Sequence, residues 1–155
     1  MLEKKKTDNV LLIEKTIFSE KTIFSSAGEN ISLVDVDIRY SLNDVYVTIY
    51  LHSETLDLIN LEKINKKLYP LLEKLPFLKD KLNLEVSSPG MFRKIKYFNE
   101  FYIFKNRDVR VSLEKGIIIE GKIKSYENSI LEIVDKNNSI IRIKDEEIKN
   151  CHLNG

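Results

Sequence analysis

The stretch that decides the fold is Leu84-Glu85-Val86-Ser87-Ser88-Pro89-Gly90, with Arg93 three residues further on. Its first half belongs to an alternation of apolar and polar residues that predicts a strand from Leu82 to Val86. Ser88 precedes a proline and should stay extended, Pro89 suits the second position of a turn, and Gly90 can supply the positive φ of the third. The stretch is therefore a predicted corner that ends a strand and redirects the chain.

Upstream of the corner, the first predicted element is a helix. Apolar residues at helical spacing place it from about Asn9 to Ser25, with Asp8 as its N-cap. This segment contains a tandem hexapeptide, residues 14–19 and 20–25, whose six-residue period does not match the helical period of about 3.6 residues. We interpret the repeat as a local duplication and assign it no function.

Two strands, a helix and a third strand follow. Residues 31–38 alternate apolar and polar side chains, and residues 45–51 are rich in β-branched and aromatic side chains, so the two form a predicted hairpin. Leucine and isoleucine then recur at helical spacing from Leu61 to Leu75, where Pro70 should kink the helix or end its first part. The chain before the corner is thus a predicted α-β-β-α-β domain.

Downstream of the corner, short strands and turns replace the helical spacing. Five short strands are predicted within about 50 residues, at 109–113, 117–125, 130–134, 140–143 and 150–153. Gly121 interrupts the second of them, as a sharply bent barrel strand requires. The pattern predicts a small all-β barrel, with residues 1–92 as the first domain and residues 93–155 as the second.

Size and composition limit the classes of function. The chain has 155 residues and is 43% hydrophobic, which suffices for one ordinary domain or two small ones. Charged residues make up 32%, but the net charge is only +1, which excludes a uniformly basic nucleic-acid binder. The single cysteine, Cys151, cannot form an internal disulfide, and no run of about 18 apolar residues is present. We therefore expect a cytoplasmic protein without a membrane partner.

Positive charge is concentrated just after the corner. Between residues 93 and 110, six basic residues face only two acidic ones; the six are Arg93, Lys94, Lys96, Lys105, Arg107 and Arg110. Aromatic residues lie between them, namely Tyr97, Phe98, Phe101, Tyr102 and Phe104. This composition favours contact with RNA. Alternatively, the aromatic side chains anchor the core and the charges form a solvated face; Arg93 can also pair with Glu85.

The corner and Arg93 together resemble the signature of the RimP ribosome maturation factors. The resemblance extends over nearly the whole chain, because Val34-Asp35-Val36 is similar to the family's first strand, Phe101 to Val111 to its barrel entry, and Ile148 to Leu153 to its closing segment. It implies an α+β protein, with an N-terminal α/β domain and a C-terminal Sm-like (SH3-like) barrel, and no catalytic residue, cofactor or metal. It also implies binding to the free 30S subunit late in maturation, with contacts to ribosomal RNA and a small-subunit ribosomal protein, and we expect a monomer.

Three positions depart from the family pattern. Met91-Phe92 stands where the family usually has Leu-Asp, so a contact made by that carboxylate is in doubt. Asn106 replaces a glycine at the barrel entry, but asparagine tolerates a left-handed backbone. Asn65-Lys66 replaces a common Ser-Arg, which keeps the charge but loses the bidentate geometry. The chain is therefore expected to be a divergent member.

The residues offer little support for an enzyme. The two serines of the corner would need a neighbouring base to act as nucleophiles, and His52 and His152 have neither helical pairing nor a cysteine set for zinc. Asp35 and Asp37 share a strand face, but the polar face of a half-buried sheet explains them more simply than paired-carboxylate catalysis. Two non-enzymatic alternatives stay open, a stand-alone Sm-like RNA-binding module that assembles into rings and a protein-only adaptor.

Overall fold

A computed structural model describes residues 5–19, 31–53 and 61–155. It divides the chain into two compact units, one holding Lys6–Pro89 and the other Gly90–Gly155. Each unit contains a separate β-sheet, and helices and strands are both present, as the predicted α+β class requires. None of the helices in these ranges is long and apolar enough to cross a membrane.

The unit Lys6–Pro89 has its described elements in the predicted order. They are α1 (Asp8–Ser19), β1 (Ile31–Tyr40), β2 (Val45–Ser53), α2 (Leu61–Glu73) and β3 (Leu82–Ser87). The sheet order is β1-β2-β3, with β1 antiparallel and β3 parallel to β2. The hairpin and the third strand are therefore confirmed.

One face of this sheet forms the core with both helices. Val36, Ile49 and Val86 are register partners across the three strands, and all three are buried. Ile13, Ile17, Leu68 and Leu72 of the two helices belong to the same hydrophobic cluster. The alternation of side chains places the next register row, Asp37, Thr48 and Glu85, on the opposite face.

The structure adds one detail to the prediction for each helix. The cap of α1 is Thr7, whose Oγ1 accepts a hydrogen bond from the Val10 N–H at 3.3 Å, so Asp8 is the first helical residue and not the N-cap. Pro70 neither ends α2 nor stops its packing, because the helix runs on to Glu73. Leu68 and Leu72, on either side of the proline, are fully buried and hold this last turn on the sheet.

Two further expectations concern the same unit. The first hexapeptide lies in α1, where Ile17 is buried and Phe18 is exposed, while the second copy at residues 20–25 lies outside the described residues. Asp35 does not lie on an open polar face as expected, because it is buried and its Oδ1 accepts the N–H of Val36 at 2.9 Å. The register with β2 is unbroken from Asp35 to Tyr40, so Asp35 and Asp37 do share a strand face, as expected.

The unit Gly90–Gly155 contains all five strands predicted after the corner. Its elements are α3 (Glu100–Ile103), β4 (Asp108–Leu113), β5 (Ile118–Glu127), β6 (Ile130–Val134), β7 (Ile140–Lys144), a 3-10 turn (Asp145–Glu147) and β8 (Ile148–Leu153). The sheet is antiparallel with the order β7-β6-β5-β4-β8. The last strand thus returns to pair with the first strand of the sheet.

This sheet is strongly curled. β7 and β8 lie at its two edges, which would be about 19 Å apart in a flat five-stranded sheet. Only Asp145–Glu147 connects them, and four Cα steps cannot exceed about 15 Å. The two edges must therefore approach each other, although no ladder joins β7 to β8 in the described part of the chain and the sheet stays open.

The curl depends on β5, which takes part in both halves of the sheet. Its residues 118–122 pair with β4 and its residues 122–127 pair with β6. A Cβ atom on Gly121 would lie 2.3 Å from the carbonyl oxygen of Val134, and a register break follows between Ile123 and Ser125. Glycine is therefore required at position 121, since no other residue fits this close approach of two backbones, and its role in a bent barrel strand stays a prediction.

Candidate functional site

The corner begins as part of β3. Val86 contributes to the core and Glu85 lies on the opposite face, in register with Thr48. The Ser87 hydroxyl donates to the carbonyl of Ser88 at 3.0 Å, which is the local bond expected of a serine at a strand end. Gly90 has the predicted positive φ, +85°, and a Cβ there would meet nothing within 4 Å. The glycine is therefore required by the backbone and not by packing.

Arg93 is buried in an ion pair with Glu100. Its Nε donates to Glu100 Oε1 at 2.6 Å, and the exposed fractions of the two side chains are 6% and 0%. Glu100 Oε2 also accepts the backbone N–H groups of Lys96 at 2.8 Å and Tyr97 at 2.9 Å. A guanidinium buried in this way stabilises its own unit, and the suggested pairing of Arg93 with Glu85 stays a prediction.

The segment from Arg93 to Ile95 continues the sheet beyond β8. The N–H of Leu153 donates to the Arg93 carbonyl at 2.8 Å, and the N–H of Ile95 donates to the Cys151 carbonyl at 2.8 Å. Between these bonds, Lys94 pairs with His152 as a β-bridge. The outer edge of β8 is therefore covered along Cys151–Leu153 by this unit's own chain.

The Cys151 thiol lies in the interior behind this covered edge. Burial, and secondly the negative charge of Glu100, raise the pKa of the thiol from 9.0 to about 12. A thiol with so high a pKa stays protonated and is a poor nucleophile and metal ligand.

Two of the predicted contact residues come together on the outer face of the sheet. Lys94, His152 and Arg110 are successive register partners, and Glu120 follows Arg110. Lys94 is exposed and has no ion pair among the described residues. Arg110 Nε lies 3.8 Å from Glu120 Oε1, with both side chains more than half exposed, so this pair is weak.

The remaining basic residues surround the short helix α3. Lys96 and Arg107 are half-buried and Lys105 is exposed. Asn106 between them has φ +70°, which confirms that asparagine preserves the left-handed backbone at this entry. Its N–H donates to the Ile123 carbonyl at 2.8 Å, and the Ile123 N–H donates to the Arg107 carbonyl at 3.1 Å, so the turn is fixed to β5.

The outer face of the sheet is close to charge balance. Besides Arg110 and Glu120, Lys122 Nζ lies 3.1 Å from Asp108 Oδ2, and Arg142 Nε lies 3.8 Å from Glu132 Oε2. The sequence sum over residues 93–110 missed this balance because the partners of several charges lie on neighbouring strands. Among the six predicted contact residues, Lys94 and Lys105 are exposed without an ion pair in the described part of the chain.

The aromatic residues divide into a buried and an accessible set. Phe101 and Phe104 are buried, as the core-anchor alternative required, while Phe98 is half-buried and Tyr102 is exposed. Tyr126 of β5 joins them, with its ring centroid 5.3 Å from Phe101 and 5.5 Å from Tyr102. Sequence reasoning missed Tyr126 because it belongs to another element, although its aromatic side chain in a strand otherwise rich in charge was a usable signal.

The open face of the first sheet carries a polar cavity of about 350 Å³. Its lining includes Asp37, Arg39, Thr48 and Glu85, and the Arg39 guanidinium lies 4.6 Å from the centroid of the Tyr46 ring. No group of three or more histidine, cysteine or acidic side chains in the described residues is arranged to hold a metal ion.

Comparisons with known proteins agree on one family. A family model described as the RimP N-terminal domain matches residues 25–92. The ribosome maturation factor RimP of Borreliella burgdorferi, strain B31, is 34% identical over 103 residues, which cover 63% of this chain and 70% of the relative. The protein of the same name from Borrelia garinii subsp. bavariensis is 33% identical over the same lengths.

The fold and these likenesses define a class of protein that serves ribosome biogenesis and small-subunit assembly. The chain belongs to the RimP family of ribosome maturation factors, and the predicted family is confirmed.

Proposed function

We propose that the protein binds the free 30S subunit and assists its late assembly, without catalysing a reaction. The single observation that carries the proposal is its likeness to RimP at 34% identity across 70% of a relative's length. The predicted chemical rivals gain no support, because Asp35 is buried and the Ser87 hydroxyl is bonded to the local backbone. The partner is therefore an assembling particle and not a small substrate.

The proposal includes two domains, residues 1–92 and residues 93–155, the second of them an Sm-like barrel. The curl forced by the short β7–β8 connection, the bend at Gly121 and the return of β8 to β4 all favour a barrel architecture. The division into compact units near Pro89 and Gly90 lies close to the proposed boundary.

The covered edge of β8 favours a monomer over a ring. Subunits that assemble into a closed ring by strand pairing must each offer two free edges. Here Arg93 and Ile95 already bond to β8, and the Arg93–Glu100 ion pair holds that segment in place. Light scattering coupled to size exclusion should give the mass of one chain; a hexamer or heptamer would instead support the stand-alone Sm-like module.

We assign the contact with ribosomal RNA to Lys94, Lys96, Lys105, Arg107 and Arg110, and the contact with a small-subunit ribosomal protein to other parts of the barrel. Arg93 belongs to this set only as a positioning residue, because its side chain is buried. The exposed Lys94 and Lys105 should contribute most, since the other cations are half-buried or face a carboxylate.

Co-sedimentation tests the proposal directly. The protein should pellet with free 30S subunits and not with intact ribosomes, and it should bind naked small-subunit RNA more weakly than the assembled free subunit. Equal absence from both pellets would contradict the proposed function. Binding to the free subunit with no affinity for naked RNA at low salt would favour the protein-only adaptor.

A further inference from the structure

We propose that Phe98, Tyr102 and Tyr126 form a stacking platform for an unpaired RNA base. The inference rests on the proposed contact with ribosomal RNA and deepens it, because it names single-stranded RNA as the class of ligand. Residues in this cluster come from the turn before α3, from α3 itself and from β5, all within the unit Gly90–Gly155.

The rings of the cluster pack against one another and against a buried ring, and Tyr102 is exposed to solvent. Tyr126 lies at the centre, 6.0 Å from Phe98, 5.3 Å from Phe101 and 5.5 Å from Tyr102 between ring centroids. Its hydroxyl donates to Asp145 Oδ2 at 2.6 Å, which fixes the ring. Phe101, which packs against Tyr126, is fully buried, whereas the residue Tyr102 is 58% exposed.

Core packing does not explain Tyr102. An anchor of the core would be buried, as Phe101 and Phe104 are, whereas Tyr102 is an exposed residue. The ring is nevertheless preorganised, because it meets Tyr126 edge-on at 62° and follows directly on the anchored Phe101. A rigid exposed ring offers stacking area at little entropic cost, which is what an unstacked base requires.

The positive charge around the cluster favours a nucleic acid as its ligand. Lys105 is exposed and lies three residues after Tyr102, in the turn that follows α3. Lys124 is also exposed, two residues before Tyr126 in β5. Neither lysine has an ion pair in the described residues, so both can neutralise phosphates beside the stacked base. The Asp145 carboxylate, which accepts the Tyr126 hydroxyl, repels phosphates, so the RNA backbone should follow the lysines instead.

The ligand should be single-stranded RNA and not an RNA duplex. Bases in an A-form duplex are stacked on one another and present no free face, whereas loops and bulges can offer a splayed base to an aromatic ring. The natural ligand would then be an unpaired segment of ribosomal RNA that is accessible before the subunit is complete.

The test measures binding of the full chain to a short fluorescently labelled oligoadenylate and to a blunt RNA duplex. The wild-type chain should prefer the single strand, Tyr102→Ala should weaken this binding by about tenfold, and Tyr102→Phe should keep it. Tyr40→Ala is the matched control, because Tyr40 is 59% exposed and lies in the other unit. Lys105→Glu should weaken binding and lower its salt dependence.

A second readout separates stacking from fold damage. The chain has seven tyrosines and no tryptophan, so its emission reports on tyrosine alone. Oligoadenylate should quench this emission in the wild type and less in Tyr102→Phe, even though that variant binds equally well.

Three results would overturn the inference. They are an unchanged oligoadenylate affinity in Tyr102→Ala, an equal or higher affinity for the duplex, and a wild-type chain that pellets with 30S subunits but binds no single strand. The last result leaves the proposed function intact. If Tyr102→Ala abolishes 30S binding while oligoadenylate binding persists, a protein and not an RNA base occupies the cluster.

Discussion

Two arginine–glutamate pairs in the unit Gly90–Gly155 share one chemistry and have opposite surroundings. Arg93 and Glu100 are buried with Nε and Oε1 2.6 Å apart, whereas Arg110 and Glu120 lie on the outer sheet face with these atoms 3.8 Å apart. A buried pair persists only when further hydrogen bonds compensate for lost hydration, and Glu100 has them from two backbone N–H groups. Water and salt screen the exposed pair. Arg93 therefore stabilises the fold, whereas the guanidinium of Arg110 is accessible to a binding partner.

The largest predicted effect removes one partner of the buried pair. Glu100→Ala leaves a buried guanidinium and two backbone N–H groups without their acceptor, so it should lower the free energy of unfolding by about 3–5 kcal/mol. Glu120→Ala is the matched control and should change it by less than about 1 kcal/mol. Urea titration measures the free energy of unfolding of both variants. An equal loss in the two would contradict the contrast between the buried and the exposed pair.

The same contrast between interior and surface holds for two glycines. Gly121→Ala places a Cβ 2.3 Å from the Val134 carbonyl oxygen, and relieving this clash must push β5 and β6 apart at a cost of about 3 kcal/mol. Gly116→Ala meets no atom within 4 Å and suffers only from its φ of +84°, at about 1 kcal/mol. Thermal unfolding should show a larger loss of stability in Gly121→Ala than in Gly116→Ala. The reverse order would contradict the close approach of β5 and β6 at Gly121.

The labelling rate of the Cys151 thiol reports how often the buried region around it opens. Because burial and Glu100 raise the pKa of this thiol to about 12, a thiol reagent at about pH 8 should label the native protein slowly, at a rate set by opening. Arg93→Ala should accelerate labelling, since it loosens the segment that pairs with Cys151. Fast labelling of the native wild type, as fast as in urea, would contradict the covered edge.

The raised thiol pKa also fixes the direction of a pH effect. The folded pKa of about 12 lies above the unfolded value of 9.0, so this contribution to stability is complete below pH 9.0 and is lost as the pH rises towards 12. The urea midpoint should therefore fall across this window. Cys151→Ala lacks the titrating group and should show a smaller fall over the same range; an equal fall would show that other groups dominate.

Local patterns predicted much of the backbone. The strand before the corner, the positive φ of Gly90, the left-handed Asn106 and the tight approach at Gly121 all follow from requirements of single residues or short periods. Such requirements do not depend on what lies far away in the sequence, so reading along the chain is sufficient.

Pairings between elements could not be predicted in this way. Glu100 lies seven residues from Arg93, and this spacing alone does not identify it as the partner of the arginine. The pair depends on burial, which the charges in the sequence do not reveal. The aromatic cluster was missed for the same reason, because Tyr126 meets Tyr102 only after β5 has packed against α3. The contact residues themselves stay a prediction.

The smallest effect on stability should accompany the largest loss of 30S binding. Lys94→Glu with Lys105→Glu reverses two exposed charges without a described ion pair, so unfolding should change by no more than about 0.5 kcal/mol. The direct test is the affinity of this double variant for free 30S subunits as a function of salt. We predict weaker binding, with a salt slope lower by about one unit for each lysine, in a protein that remains fully folded. Wild-type affinity and an unchanged slope would contradict the assignment of these exposed charges to the ribosome.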